Sequence, residues 1–243
     1  QRLQNSLDGI RLENPMNDAA WERLLNTLLE HNQATAGGSN DQSVYLQVTR
    51  GSAAKRDHRF PDAITPTVYA TSSPIPAADP AIEKQGVSAI TLEDNRWQRC
   101  DIKAITLLAN VLQRQQAVDA SAAEAILIRN GHAIEGSASN LFIVLKGLII
   151  TPPKSEQLLP GITRDLVLEL AEQHNMPCKE ELIPVSALES AEEIWITSST
   201  REILPITQLN GHKVGSGYPG TLWATIISHY RNYKTAVRAG TAA

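Results

Sequence analysis

In the stretch RWQRCDIKAITLLANV, Arg96 to Val111, polar residues and a lone cysteine run into Lys103, and an apolar periodic pattern follows. A primary amine attacks a carbonyl only when it is neutral, so a Schiff-base lysine needs surroundings that lower its pKa. The periodicity predicts a helix over residues 103–116 with Ile105, Leu108, Val111 and Leu112 on one side. A cation in the first turn of a helix opposes the helix dipole. Lys103 therefore reads either as a solvated charge on a helix end or as a nucleophile aimed into a pocket.

Other segments could complete a site around that amine. Glu135 ends an apolar strand in HAIEGSASN and is followed by glycine and small hydroxyl residues. It reads as a surface carboxylate, or as an acid that pairs with a protonated ring nitrogen where the small residues leave room for a flat ligand. PGITRD places Thr163 just before a helix, as a plain N-cap or as part of a phosphate site made with free backbone N–H groups. TSSTRE ends a strand with Thr197, Ser198, Ser199 and Thr200, either a Ser/Thr turn or a second anion cradle. Arg56 and His58 in KRDHRF stand two apart, so in an extended loop both could hold one carboxylate; otherwise this is an exposed basic loop. An amine, an acid, phosphate donors and a carboxylate clamp are together what a pyridoxal phosphate enzyme needs.

The elements that must position these residues follow from pattern and turn chemistry. A helix is expected over 14–34 with Asn17 as its N-cap. SVYLQVTRG alternates as a strand that stops at Gly51, and the proline- and alanine-rich piece 72–80 marks the domain boundary. Domains are expected at 1–76 and 77–243. Hairpins are expected at Asn130-Gly131 and Lys146-Gly147, and a further turn at Asn210-Gly211. Ser186 and Glu189 match a capping box, and residues 221–237 form a closing helix. Strands arriving in hairpins with helices interspersed predict an α+β or mixed α/β fold.

Composition narrows the function. The chain of 243 residues carries a formal net charge of −4, and only 5% of it is aromatic. It has no basic stripe for phosphates and few rings for base stacking, so nucleic-acid binding is a poor fit. No apolar run reaches membrane-spanning length, and no signal peptide is legible. His31, His132, His174, His212 and His229 lack metal-ligand spacing, so no metal site is expected. Cys100 and Cys178 lie far apart without a CxxC partner, which fits a reducing, cytoplasmic setting.

RWQRCDIK, LLANVL, EAILIRNGHAIEGSASNLF, LLPGITRD and ITSSTREILPI, in this order, closely resemble the class IV (fold-type IV) aminotransferases. RGSAAKRDHRFP resembles the D-amino acid-specific members. The likeness runs from about residue 1 to residue 225. It implies pyridoxal 5′-phosphate held by Lys103, which also moves the proton, and Glu135 against the pyridine nitrogen. Leu159 would pack on the ring. Ile162 and Thr163 would form one phosphate turn, Ser198 and Ser199 the other; Ser199 stands where the family often has threonine. Arg56 and His58 would bind the substrate α-carboxylate from a neighbouring subunit, which implies a homodimer. The implied reaction is amino transfer between a D-amino acid and a 2-oxo acid. Branched-chain aminotransferases and aminodeoxychorismate lyases share the lysine and glutamate regions and are the alternatives. The resemblance also implies a segment ahead of Gln1 that supplies an arginine to the phosphate and a tyrosine to the substrate site. Without it the small domain would expose apolar surface and the chain would be a weakened or inactive enzyme.

Overall fold

The computed structural model of the chain describes residues 1–32 and 41–241. It divides into two compact units, Gln1–Ala77 and Ala78–Ala243. The first holds α1 (Arg2–Gly9), α2 (Asp18–Asn32) and the antiparallel pair β1 (Gln42–Thr49) and β2 (Thr67–Pro74). Asn17 caps α2, its side-chain oxygen accepting from Ala20 N at 2.9 Å. Residues 33–34 of the expected helix lie outside the described residues.

The second unit contains α3 (Pro80–Gln85), β3 (Val87–Glu93), α4 (Leu108–Asp119), β4 (Glu124–Arg129), β5 (His132–Gly136), β6 (Asn140–Leu145) and β7 (Leu148–Thr151). It continues through α5 (Ile162–Gln173), β8 (Cys178–Glu180), β9 (Ile183–Pro184), α6 (Val185–Glu189), β10 (Glu193–Ser198), β11 (Glu202–Leu209), β12 (His212–Lys213) and α7 (Thr221–Arg238). These strands form one mixed sheet in the order β8-β7-β6-β10-β11-β3-β4-β5-β9, with β12 against β11. The fold is mixed α/β.

Two-residue alternation sorts the side chains of β6 to opposite faces. Leu141 and Ile143 join a core built almost wholly from strands, while Phe142 and Val144 join a second core under α5 and α7. In β4, Ile126 and Ile128 enter the first core, and Ala125 and Leu127 pack with Ala117 of α4. This strand-built core requires the sheet to curl. On a flat sheet β5 and β6 would lie five strand steps apart, roughly 24 Å. Residues 137–139 join them directly, and Gly136 N donates to Ser139 O at 2.7 Å.

The hairpin turns follow their sequence signals. Asn130 and Gly131 both have positive φ, as do Lys146 and Gly147, the backbone a tight hairpin of this twist demands. Other expectations fail. The helix placed over 103–116 begins only at Leu108, and Lys103 lies in the preceding irregular segment. The helix-dipole argument for Lys103 therefore does not apply. The apolar side of that pattern is exposed: Ile105 at 65%, Leu108 at 74%, Val111 and Leu112 above half. The residues α4 buries are Gln113 and Ala117. The capping box also fails. Ser186 sits inside α6, whose N-cap is Pro184 without a side-chain cap bond, because Val185 N is drawn to Gly131 O at 3.0 Å.

Candidate active site

Glu135 is the best-defined member of the site. It is the penultimate residue of β5 and only 4% exposed, so the surface reading of this acid is wrong. Arg96 Nη1 donates to its Oε1, and the pair lies at ion-pair distance. Asn140 Nδ2 and Leu159 N each donate to Oε2 at 3.1 Å. Burial pushes the Glu135 carboxyl up to about 7, while the Arg96 guanidinium and the Leu159 N–H pull against that rise. A carboxylate offers roughly four lone-pair sites. Three donors leave one site for a further N–H, which suits a protonated ring nitrogen.

Leu159 is half-buried, and its backbone clamps the acid: its N–H donates to Glu135, and its carbonyl accepts from Asn140 Nδ2 at 2.8 Å. Two residues on, Gly161 is the N-cap of α5 in extended backbone. Thr163 is thus inside the first turn and not the cap. With no side-chain cap on this helix, the amides of Ile162 and Thr163 have no acceptor within the helix. A Cβ on Gly161 would stand 2.0 Å from Asn140 Oδ1. The backbone there (φ −74, ψ 135) suits any residue, so the clash alone decides. Gly161→Ala should displace Asn140, take a donor from Glu135 and destabilise the protein by about 1–3 kcal/mol, read as a lower midpoint in urea unfolding.

The hydroxyl segment lies at the same end of the sheet. Thr197 of β10 pairs in register with Asn140 of β6, and Ser199 and Thr200 form the turn beyond the strand. Thr197 shares a strand face with Trp195, which packs in the core under α5. Its buried Oγ1 has no protein partner among the described residues. Ser198 Oγ accepts from Arg201 N at 3.4 Å. The orphan hydroxyl and the uncapped helix start are a donor set that fits a phosphate.

Sequence reading missed Glu124, which ties these segments together. It is fully buried and accepts from Ser137 Oγ, Ser139 Oγ (3.0 Å), Ala125 N (3.0 Å) and Arg201 Nη2 (2.6 Å). Burial alone would raise its pKa, but these bonds and the Arg201 charge hold it below the usual range. One carboxylate thus joins the loop after Glu135 to the turn after β10. Asn140 and Arg96 were missed too, although both lie in motifs the resemblance uses.

Lys103 is exposed, in a segment anchored on both sides. Cys100 N donates to Glu156 O at 2.8 Å upstream, and Asn110 Nδ2 donates to Ser137 O at 2.8 Å downstream. The second bond ties the start of α4 to the loop after Glu135. Arg56 and His58 are in the first unit, exposed, in the connection between β1 and β2. The chain there is turned, with Arg59 N on Asp57 Oδ1 at 3.2 Å, so strand-like alternation does not describe the pair. The same connection carries Phe60, whose ring lies 3.8 Å beneath the Arg50 guanidinium and 5.3 Å from that of Arg11.

The fold and this end of the sheet define a class. The chain is similar to a branched-chain amino acid aminotransferase of Escherichia coli (TM-score 0.83, 22% identity, 96% of this chain and 77% of that one). It is also similar to a putative branched-chain aminotransferase from Thermotoga maritima (TM-score 0.75, 26% identity, 95% and 77%). The family model for amino-transferase class IV matches residues 1–209, and the chain belongs to that family; it is an aminotransferase with the fold-type IV architecture and its cofactor is pyridoxal 5′-phosphate. Among curated relatives, D-alanine aminotransferase of Bacillus licheniformis is 40% identical over 232 residues, 95% of this chain and 79% of the relative. D-alanine aminotransferase of Listeria innocua is 36% identical over 231 residues, 94% and 78%.

Proposed function

We propose that the chain transfers an amino group reversibly between a D-amino acid, such as D-alanine, and a 2-oxo acid, such as 2-oxoglutarate. The observation that carries this reading is the buried Glu135 carboxylate with one acceptor site left, together with an uncapped helix start and an orphan hydroxyl. The 40% identity to a D-alanine aminotransferase supports the D-specific form. Likeness to branched-chain enzymes at 22–26% identity speaks mainly to the fold.

Bound pyridoxal phosphate supplies an electron-withdrawing ring that stabilises negative charge at the substrate Cα. In this reading Glu135 would hold a proton at the ring nitrogen, and Leu159 would pack on the ring. The amides of Ile162 and Thr163, the Thr197 hydroxyl and the hydroxyls of Ser198 and Ser199 would hold the phosphate. Lys103 anchors the cofactor, takes the proton from Cα as general base and returns one as general acid. Arg56 and His58, contributed by the second copy of the chain, would bind the substrate α-carboxylate. Assays of D-alanine, L-leucine and aminodeoxychorismate side by side test the reading. Turnover is expected with D-alanine; a preference for L-leucine would transfer it to the branched-chain class.

The working form in this proposal is a homodimer in the cytoplasm. Its support is the apolar strip of Ile105, Leu107, Leu108, Val111 and Leu112, exposed on the described chain and of the kind a second copy covers. The unpaired Cys100 and Cys178 suit a reducing compartment. Leu108→Glu should shift the dimer towards monomer in sedimentation velocity, and an unaltered dimer in that variant would move the interface elsewhere. Among the described residues no helix is long and apolar enough to cross a membrane.

A further inference from the structure

Resting on the role given to Glu135 above, we propose that Arg96, itself fixed by Asp94 and Arg129, is a positioning residue that holds the Glu135 carboxylate in place as an anion. The four side chains form a buried row of alternating charge. Arg96 grips Asp94 with a two-pronged bond, Nε to Oδ1 at 2.9 Å and Nη2 to Oδ2 at 2.8 Å. The backbone N–H of Arg96 adds a third contact to Asp94 Oδ1 at 3.0 Å. Nη2 also donates to Gln157 O at 3.2 Å. The guanidinium plane is therefore set before Nη1 reaches Glu135. Both side chains of the Arg96–Glu135 pair are almost inaccessible, and that of Asp94 is wholly so.

Arg129 completes the row. Its Nη2 lies 2.9 Å from Asp94 Oδ2 and donates to the carbonyls of Arg96 (3.1 Å) and Trp97 (3.3 Å). Two cations thus meet two anions with no surplus charge under cover. Asp94 alone would repel Glu135; the arginines on either side of Asp94 offset that repulsion. Cys100 is a further titratable group near the pair, and burial pushes its thiol up, which keeps it neutral. The remaining donors on Glu135, Asn140 and Leu159, are uncharged. The row also pins residues 94–97, the start of the segment that carries Lys103. A lysine at position 96 would offer a point charge and lack the planar fork that grips Asp94 and Glu135 together.

The test titrates the visible absorbance of cofactor-loaded protein with pH in the parent, Arg96→Met, Asp94→Asn and Glu135→Gln, with cofactor affinity measured alongside. Removing an adjacent opposite charge moves a carboxyl by roughly one to three pH units, so Arg96→Met should displace the absorbance transition by about one unit or more and weaken cofactor binding. Asp94→Asn should act in the same direction by less. The kcat should fall in both while KM for D-alanine stays within about twofold. A purely structural role would lower the unfolding midpoint and leave the titration unmoved. Parent-like titration in Arg96→Met, with Glu135→Gln shifted, overturns the role of Arg96 and leaves that of Glu135 standing. Parent-like titration in Glu135→Gln removes both. If Arg96→Met does not fold, Asp94→Asn decides by the same criterion.

Discussion

Lys103→Ala should lower D-alanine transamination by roughly 10⁴-fold or more, because in the proposed mechanism the residue is cofactor anchor and proton carrier at once. The variant should also lose the near-visible absorbance of lysine-bound cofactor. It should fold normally. Lys103 is exposed, and its segment is held by bonds from Cys100 and Asn110 rather than by its own side chain alone. Circular dichroism and the unfolding midpoint should therefore match the parent. A folded Lys103→Ala protein that keeps parental turnover would end the assignment of this lysine. Added methylamine offers a second check: a small amine that enters the site should restore part of the proton transfer.

Glu135→Gln should produce the second large effect, with two separable parts. The first is catalytic. Without an anion against the ring nitrogen, the cofactor's capacity to withdraw electrons falls, and kcat should drop by roughly 10²–10³-fold, the size found for losing one preorganised electrostatic contact. The second part appears without cofactor. Burial raises the Glu135 pKa from 4.5 to about 7. An acid whose folded pKa is raised contributes stability that is fully present below its unfolded pKa and is lost as pH rises through its folded value. Between pH 4.5 and 7 the cofactor-free parent should therefore lose stability on the order of 3 kcal/mol through this group. Glu135→Gln lacks the titration, so its urea midpoint should change less across the same window. Parallel pH profiles for the two proteins would contradict the burial argument.

Local signals were legible in the sequence where short-range sterics decide. Asn130-Gly131 and the glycine of Lys146-Gly147 announce their turns because positive φ is readily adopted by glycine and by asparagine. Asn17 announces its cap because its side chain reaches a backbone N–H three residues on. Which face of an element is covered does not follow from such signals. The apolar side of α4 has helical spacing whether it meets this chain's own core or a second molecule's surface. Its first turn was misplaced because Leu107 N bonds Ile105 O at 2.8 Å and the chain bends there before coiling. Ser186 and Glu189 have capping-box spacing, but a bond from Val185 to a distant hairpin set the start of α6.

The site divides along the same line. Sequence by itself determined the chemical inventory: an amine at 103, an acid at 135, hydroxyls at 197–200, a helix start near 163 and a basic pair at 56 and 58. Residue types and their order along the chain suffice for that list and for the resemblance built on it. Tertiary structure decided the state of each group. Glu135 is a buried acid near 7 because the fold removes it from water, and the donors that partly offset that burial or hold its oxygens, Arg96, Asn140 and Leu159, are separated from it by 39, 5 and 24 residues. Glu124 is silent in sequence and becomes central only when the curled sheet brings Ser137, Ser139 and Arg201 around it. Hydrogen bonds and desolvation act over a few ångströms of space, and only the folded sheet sets which residues are that close.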